Sequence, residues 1–550
     1  NVKLVDLTTG QGLGLRWAYS VGATKYICNY RVIITRGQGR VFEPGHTYAA
    51  YLLTGVKAHD ASSIQRSNDL VALLGEPSPT VPALVPHWPK YDLLRTYLSD
   101  NTIDPATILT ASVFTIGHPR ALVEQVQPVL DVGSPPAATQ WTLCDTNVTS
   151  PCPDATGDRA CGAANPDFYE LHALVELPVF QQGTAPYENP ADGGDLRQNG
   201  GVPEVDHTSQ VCMTLTVPKG TVPQNGWDTV VFAHGSGGHY RSHIESGLAT
   251  DFAQGVNDGQ GTVVRAAVLG IDQVLHGPRK AGSTQSSNDL FFNFANPKAA
   301  LGNPQQGAAE QMALLRFVPT VTFDQQSSPS GEAFNLSTNV GFWGHSLGAI
   351  LGALATPYAD WNGVLFTGQG AALRDSLVTK SSPVNIAGLI GFILSDFGND
   401  GSLHHGSRHP VLNLMQHYID GGDPIAYGRL LAVDPPGSLE GRHVFQVYGQ
   451  FDTYTPSVVQ ANYLLAAGLD LVDHDSSATP PDDIGNLTPV SAPASGNIVV
   501  GQKTVSALAR QYGPTNQDGH YVAFEVTNAR ADALRFLAGA LSGVTPQVGQ

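Results

Sequence analysis

Charged side chains are scarce in this chain of 550 residues, since Asp, Glu, Lys and Arg together make up only 14% of it. Basic side chains are the scarcer kind: 29 Lys and Arg residues against 47 Asp and Glu residues give a formal net charge of −18. A field of that sign repels nucleic acid and anionic membrane surfaces at long range. The sequence therefore predicts no nucleic-acid partner.

Long hydrophobic runs are also missing. Apolar stretches such as residues 386–394 are well short of the roughly 18 consecutive residues that a membrane-spanning helix needs. We therefore expect no transmembrane span. The chain begins at Asn1 without a basic or apolar leader, which fits a mature processed form and a trimmed chain equally well.

Cysteine is rare, and the five cysteines are Cys28, Cys144, Cys152, Cys161 and Cys212. Three of them crowd into one loop rich in Gly, Pro, Asp and Thr, which is typical of disulfide partners in an oxidising compartment. The pairing stays open because one cysteine is left over, and unpaired buried thiols are the alternative. No metal site is predicted, because the chain lacks paired C-x-x-C motifs and residues 145–158 lack the spacing of a calcium loop.

Residues 1–118 alternate short strands with turns, which predicts a small N-terminal β-sandwich domain with one helix at 91–98. Its candidate strands are 26–34, 48–54 and 112–116. Residues 119–200 are rich in Pro, Gly, Asn and Asp, and they are interpreted as a linker that carries the cysteine loop and a lead-in strand at 171–180.

Residues 201–550 alternate apolar strands with helical segments, which predicts a mostly parallel sheet flanked by helices and hence the α/β fold class. The candidate strands are 211–217, 229–233, 263–271, 339–343 and 443–448. Within this part, residues 371–440 either form a cap over an apolar pocket or pack as ordinary helices.

Residues 344–348 have the sequence Gly-His-Ser-Leu-Gly, a G-x-S-x-G pattern. It is typical of a sharp strand-to-helix turn that exposes a nucleophilic serine, with glycines where a side chain would clash. An apolar strand at 339–343 leads into the pattern and a small-residue helix at 347–356 follows. Ser346 is therefore the predicted nucleophile, and a glycine-rich core turn without chemistry is the alternative.

A serine hydroxyl is too weakly acidic to attack an acyl carbon alone, so a histidine base and an orienting carboxylate are needed. After such a turn the chain order is serine, acid, histidine. His520, in a turn-prone segment late in the chain, is the predicted base. Asp452 is the predicted acid because it follows the strand 443–448. Its competitors are Asp423, Asp434 and Asp518.

Acyl transfer also needs backbone N–H groups that point at the developing oxyanion. The glycine-rich segment 234–238 follows an apolar strand and can supply one of them, and the residue after the nucleophile supplies the other. We predict an oxyanion hole formed by Ser236 and Leu347, with Gly237 as the alternative to Ser236. The predicted substrate-binding residues are His234, Gly235, Gly237 and His345.

With these motifs the chain resembles the α/β-hydrolases, and more narrowly the bacterial virulence-factor lipase family of exported esterases with an N-terminal β-sandwich domain. The resemblance rests on Gly45-His46-Thr47-Tyr48, Val113-Phe114-Thr115, the segments 232–238, 271–277 and 344–348, and Asp518-Gly519-His520. It implies an Ig-like N-terminal domain and a triad of Ser346, Asp452 and His520. It further implies hydrolysis of carboxylic esters, with lipids or lysophospholipids as one substrate class, no cofactor, and a secreted, periplasmic or cell-surface location in a bacterium.

Two other functions remain open at this point. The same triad can cleave a polyester such as a polyhydroxyalkanoate, with the N-terminal domain helping to hold the polymer. A non-catalytic adhesion or binding protein on a hydrolase scaffold is the other alternative, because a fold alone does not fix a function. Asp272 and His276, which follow another buried strand, are assigned a structural role.

Overall fold

The computed structural model describes residues 1–58, 60–398 and 401–550. The chain divides into two compact units, Asn1–Pro119 and Arg120–Gln550. Within the described residues, none of the helices combines the length and the apolar character of a membrane span.

The first unit is an antiparallel sheet covered by two helices. Its strands are β1 (Val2–Asp6), β2 (Gln11–Gly12), β3 (Arg16–Ser20), β4 (Arg31–Thr35), β5 (Thr47–Leu53) and β6 (Ile108–Thr115), and its helices are α1 (Asn68–Leu74) and α2 (Asp92–Asp100). The sheet order is β2-β1-β5-β6, and β3 pairs with β4 in a separate hairpin.

The core of this unit lies between the sheet and the helices. Ala49 and Tyr51 of β5 pack with Leu94 and Leu98 of α2, and all four are buried. The hairpin β3–β4 does not cover the sheet as a second layer would, since its Trp17 is 61% exposed. The described residues of this unit thus lack the predicted Ig-like β-sandwich, because helices cover the face that a second sheet would occupy.

The second unit contains all the remaining strands: β7 (Ala138–Leu143), β8 (Phe168–Val179), β9 (Gln181–Gly183), β10 (Gly193–Leu196), β11 (Gln198–Asn199), β12 (Val202–Pro203), β13 (His207–Pro218), β14 (Trp227–Ala233), β15 (Val256–Asn257), β16 (Val263–Val264), β17 (Ala266–Ile271), β18 (Thr322–Phe323), β19 (Phe334–His345), β20 (Gly363–Thr367), β21 (His443–Gly449), β22 (Asp470–Val472), β23 (Ile498–Val500), β24 (Lys503–Val505) and β25 (Ala507–Tyr512). Eleven of them form one sheet, in the order β22-β25-β21-β20-β19-β14-β17-β13-β8-β7 with β18 paired to β19. The sheet is parallel from β22 to β17, and β13, β8 and β7 add antiparallel strands at one edge.

Helices cover both faces of this sheet. They are α3 (Ala121–Val132), α4 (Ser242–Glu245), α5 (Leu248–Gln254), α6 (Ser287–Phe291), α7 (Pro297–Phe317), α8 (Leu347–Ala355), α9 (Leu373–Thr379), α10 (Ile386–Leu394), α11 (Pro410–Ile419), α12 (Arg429–Ala432), α13 (Ser457–Ala467), α14 (Val522–Glu525) and α15 (Thr527–Ser542). Val231 of β14 belongs to the apolar cluster with α7 and α8, whereas the adjacent Val230 packs with α5 and α15. Alternating side chains thus bury both faces, as a central parallel strand requires. This large mixed sheet flanked by helices agrees with the predicted α/β class.

Residues 119–200 were predicted as a linker, but all of them from Arg120 onward belong to the second unit. Helix α3 packs its buried Val123 and Val126 into the main core, and β8 pairs with β13 along its whole length. The Pro- and Gly-rich composition belongs to the loops between these elements. One disulfide joins Cys144 to Cys161 in this region, while Cys28, Cys152 and Cys212 are free.

A buried ion pair connects α7 to the loop after β17. Glu310 is fully buried and accepts hydrogen bonds from the Arg279 guanidinium, one of them at 2.8 Å, and from the Gln306 amide at 3.0 Å. Breaking a buried pair leaves an uncompensated charge, which costs roughly 3 to 5 kcal/mol. We expect Glu310→Leu to lower the free energy of unfolding of the second unit by about 3 kcal/mol in urea denaturation followed by tryptophan fluorescence.

The matched control is Asp434→Leu. Its partner Arg429 is 42% exposed, so water solvates the guanidinium that is left behind. This control should change stability by less than about 1 kcal/mol. Equal losses in the two variants would show that the buried pair has no special role.

Candidate active site

Ser346 lies at the sharp turn between β19 and α8. Its backbone has φ 54° and ψ −116°, a left-handed conformation that costs about 1 to 3 kcal/mol and is found mainly at functional sites. The two glycines of the motif permit the turn: a Cβ on Gly344 would lie 2.7 Å from Ala349 Cα, and one on Gly348 would lie 2.0 Å from the Ala233 oxygen. The turn thus presents the Ser346 side chain beside the end of β14.

His520 and Asp452 form a buried pair after β25 and β21. His520 Nδ1 lies 2.8 Å from Asp452 Oδ2. The other carboxylate oxygen accepts the backbone N–H groups of Tyr454 at 2.8 Å and Thr455 at 2.6 Å. The Tyr454 ring stacks on the imidazole with a centroid distance of 4.8 Å. These contacts fix both the carboxylate and the plane of the imidazole ring.

The end of β20 brings this pair close to the serine. The Ser346 N–H donates to the Thr367 oxygen at 2.8 Å. The next residue, Gly368, has φ 58°, and a Cβ there would lie 2.7 Å from His520 Cε1. Among the described residues the Ser346 hydroxyl has no hydrogen-bond partner, as is common before substrate binds. Whether these three residues act as a triad stays a prediction.

The loop after β14 lies against the serine. A Cβ on Gly235 would lie 3.0 Å from Ser346 Cβ, so a side chain at this position would crowd Ser346. Ser236 lines the same cavity as Ser346 and Leu347. Within the described part of the chain, the backbone N–H groups of Ser236 and Leu347 have no acceptor. The N–H of Gly237 is occupied, because it donates to His276 Nε2 at 3.1 Å.

Two buried histidines hold this loop. His276 accepts the Gly237 N–H on Nε2 and donates from Nδ1 to the Val274 oxygen at 2.9 Å. His234 donates from Nδ1 to the Gly235 oxygen at 2.8 Å and accepts the Gln273 N–H on Nε2 at 3.2 Å. Both rings are therefore neutral. Burial lowers the pKa of His276 to about 4 and the pKa of His234 well below its ordinary value.

Four residues predicted to bind substrate adjoin the site without lining the cavity beside Ser346. Both ring nitrogens of His234 are used by the backbone, and His345 is buried with its Nδ1 2.9 Å from Thr367 Oγ1. Gly235 and Gly237 shape and hold the loop. None of these four residues is among those that line the cavity beside Ser346, and substrate binding by His234, Gly235, Gly237 and His345 stays a prediction.

The cavity beside Ser346 has a volume of about 100 Å³, and an apolar cavity of about 330 Å³ shares part of its lining. Residues that line both are Phe292, Ala300, Leu373 and Ile419. The sequence analysis missed these residues and also Lys380 and Tyr454, which line the first cavity. None of them belongs to a motif, and only Leu373, Lys380 and Ile419 lie in the segment 371–440, whose apolar composition was the one available signal.

Helices α9 and α11 of that segment line the cavities, so it forms part of a pocket wall. Helix α10 lines neither cavity, and its Phe392 is 75% exposed. Residues 399 and 400 of the segment lie outside the described residues.

The competing acids have other partners. Asp518 accepts the Thr453 N–H at 3.0 Å and the His520 N–H at 2.9 Å, so it holds the loop that carries the imidazole. Asp434 pairs with Arg429 at the surface. Asp423 lines the cavity, but backbone and amide donors surround its carboxylate.

Neither a protein-family model nor a curated protein sequence matches this chain. Among solved structures it is similar to the acetyl xylan esterase from Paenibacillus sp. R4, at 12% identity and a TM-score of 0.35 over 72% of this chain and 88% of that one. It is also similar to acetyl xylan esterase 1 from Thermoanaerobacterium sp. JW/SL YS485, at 10% identity and a TM-score of 0.34 over 76% and 92%. Candida antarctica lipase A in its closed state gives 13% identity and a TM-score of 0.33 over 75% and 83%.

Likeness at this level does not establish function, so the assignment must rest on the site itself. The turn with Ser346 follows the central strand β19, the loop with the free Ser236 N–H follows the neighbouring β14, and Asp452 and His520 come later in the chain in that order. This arrangement fits the α/β-hydrolase fold.

Buried neutral histidines make stability depend on pH. Besides His234 and His276, burial lowers the pKa of His443 to about 4. Because the unfolded chain binds protons below about pH 6.5 and these folded sites do not, their stabilising contribution is complete above pH 6.5 and is lost as pH falls towards 4. We expect the free energy of unfolding to decrease between pH 7 and pH 4.5 in urea titrations.

The variant His443→Gln tests one of these histidines at a position away from the candidate active site. In the wild type, His443 Nδ1 accepts the Ser506 N–H at 3.1 Å. The glutamine oxygen can accept the same hydrogen bond and does not titrate. The variant should therefore show a shallower pH dependence than the wild type. An unchanged slope would mean that His443 does not contribute.

Proposed function

We propose that this protein is a serine hydrolase that cleaves carboxylic esters through an acyl-enzyme intermediate. The observation that carries the proposal is the strained turn at Ser346, which faces the free N–H groups of Ser236 and Leu347. The buried pair of His520 and Asp452 on neighbouring strand ends supports it.

In the proposed reaction, Ser346 Oγ attacks the ester carbonyl carbon while His520 Nε2 takes its proton. The N–H groups of Ser236 and Leu347 stabilise the oxyanion, and one such donor contributes roughly 3 to 4 kcal/mol. The imidazolium then protonates the departing alkoxide. Water, deprotonated by His520, releases the acyl group as a carboxylic acid and regenerates the serine.

Asp452 would orient the base and stabilise its charged form. Its second oxygen is already held by two backbone N–H groups, so it can offer Oδ2 to the imidazole without moving. This is pre-organisation, which spares the transition state a reorganisation cost.

We also propose that the protein is exported to an oxidising compartment of a bacterium. The Cys144–Cys161 disulfide supports this, because such bonds persist mainly outside the cytosol. The apolar cavity of about 330 Å³, which shares lining residues with the cavity beside Ser346, favours a small or aliphatic ester over a polymer as substrate.

The nucleophile can be tested by labelling with a fluorophosphonate probe and by hydrolysis of p-nitrophenyl butyrate. Ser346→Ala should abolish labelling and lower kcat by at least about 10³-fold, and Asp452→Asn should lower kcat by roughly 10³- to 10⁴-fold because the base loses its orienting charge. Asp434→Asn, at an exposed surface pair, is the matched control and should behave like the wild type. Full activity in folded Ser346→Ala would rule out the proposed nucleophile.

The apolar cavity predicts a preference for longer acyl chains. Each buried methylene contributes about 0.8 kcal/mol, so kcat/KM should rise by up to roughly fourfold per methylene from acetate to octanoate. Ala300 lines both cavities and is 8% exposed, so Ala300→Leu should narrow the passage between them. This variant should lose activity on octanoate esters and keep activity on acetate esters. A parallel loss on both esters would argue against acyl binding in this cavity.

A further inference from the structure

Lys380 follows α9 and lines the cavity that contains Ser346. Its Nζ lies 5.7 Å from the centroid of the Phe292 ring, which lines the same cavity. The ammonium group is therefore at the pocket and not on the outer surface. The proposed mechanism assigns it no role.

The structure shows no counter-ion for the ammonium group in the described part of the chain. Among the described residues, no carboxylate lies within 4.0 Å of Lys380 Nζ and no acceptor forms a hydrogen bond with it. Burial lowers the pKa of Lys380, and the Asp452 carboxylate opposes this shift from a greater distance. Partial burial of the Lys380 ammonium therefore costs free energy that no ion pair with a described residue offsets.

The other charged residue in the cavity lining cannot serve as this partner. Asp423 Oδ1 accepts the N–H groups of Ala372 and Ile425, both at 3.0 Å. Asp423 Oδ2 accepts the Leu373 N–H at 2.8 Å and the Gln416 amide at 2.9 Å. Each oxygen already has two donors, so this carboxylate is satisfied by the chain itself. Lys380 is the one charged group of this lining that a substrate can pair with.

We infer that Lys380 binds a carboxylate of the substrate, so that the preferred esters are monoanions with a carboxylate a few atoms from the scissile bond. The inference rests on the proposed ester hydrolysis and adds its substrate class. Because a single lysine is a point charge in a mostly apolar lining, it matches one negative charge and not the two of a phosphate monoester. Esters of dicarboxylic acids and of hydroxy acids have this chemistry.

Two pairs of substrates distinguish on which side of the ester the carboxylate lies. For the acyl side, p-nitrophenyl hydrogen adipate is compared with p-nitrophenyl hexanoate. For the alcohol side, the butyrate ester of 3-hydroxypropanoate is compared with propyl butyrate. In each pair a terminal carboxylate replaces a methyl group, and the readout is the ratio of kcat/KM for the anionic ester to that for the neutral ester.

Lys380→Met should lower this ratio by about ten- to hundredfold in at least one pair, the size of a lost charge-assisted hydrogen bond. Lys380→Arg should keep the ratio within about threefold, since it retains the charge. Lys298→Met is the matched control, because it removes the same charge from a site that is 53% exposed on α7. Its ratio should equal that of the wild type.

The outcomes separate the two proposals. If the wild type hydrolyses none of the four esters, or if Ser346→Ala retains activity, the proposed function fails. If the wild type is active but Lys380→Met and Lys298→Met have the same ratio in both pairs, carboxylate binding by Lys380 is overturned while ester hydrolysis stands. A parallel loss on neutral and anionic esters in Lys380→Met, with an altered pH profile, would also overturn it and indicate that Lys380 acts on the His520–Asp452 pair.

If Lys380→Met does not fold, inhibition of the wild type provides the test. Hexanoate should inhibit hydrolysis of p-nitrophenyl butyrate competitively and at least about tenfold more strongly than hexanamide. Equal inhibition by the acid and the amide would overturn the inference.

Discussion

The close approach of β14 to the first turn of α8 is the constraint on which the rest of the site depends. Ala233 and Gly344 are neighbours in the parallel register, and a Cβ on Gly348 would lie 2.0 Å from the Ala233 oxygen. No side chain fits in this space, and Ser346 at the turn has a positive φ of 54°. The close contact between β14 and α8 therefore holds Ser346 next to the loop that contains Ser236.

That contact alone does not determine the shape of the loop after β14. His234 and His276 do so, because each neutral ring donates one hydrogen bond and accepts another from the backbone. A protonated ring has no lone pair with which to accept a backbone N–H. The neutral form of His276 therefore both stabilises the fold and accepts the Gly237 N–H. The N–H of Ser236, which lines the cavity, stays free of a described acceptor.

Local sequence signals were sufficient wherever a backbone turn or a buried strand dictated the residue types. The strand predicted at 229–233 is Trp227–Ala233, and the helix predicted at 347–356 is Leu347–Ala355. Asp452 and His520 lie within hydrogen-bonding distance although 68 residues separate them in the chain. Asp452 and His520 meet because β21 and β25 are neighbours in the sheet. The apolar pattern of a strand predicts the strand itself but not which strand lies beside it.

The errors arose where tertiary contacts override composition. Residues 119–200 have the Pro and Gly content of a linker, yet β8 is paired on both sides, by β7 and β13. Helices α1 and α2 cover one face of the N-terminal sheet, and Leu94 and Leu98 of α2 are buried against it. The helical spacing of these two leucines predicted a helix, but it did not indicate that this helix would cover the sheet. A histidine in a glycine-rich loop resembles a substrate ligand in sequence, and only the structure shows that backbone groups occupy both nitrogens of His234.

The two parts of the site differ in how they are encoded. Ser346, Asp452, His520 and the loop after β14 follow strand ends, where the sheet fixes positions and glycines leave a recognisable pattern. The cavity wall comes from α7, α9 and α11, where any residue of suitable volume and polarity can pack. The sheet thus fixes the positions of the proposed catalytic residues, whereas helices that cover the sheet supply much of the cavity lining. A single cation in the cavity lining, such as Lys380, can therefore change which ester binds while the turn at Ser346 keeps its geometry. For this reason the substrate class has to be argued from the cavity lining and not from the G-x-S-x-G motif.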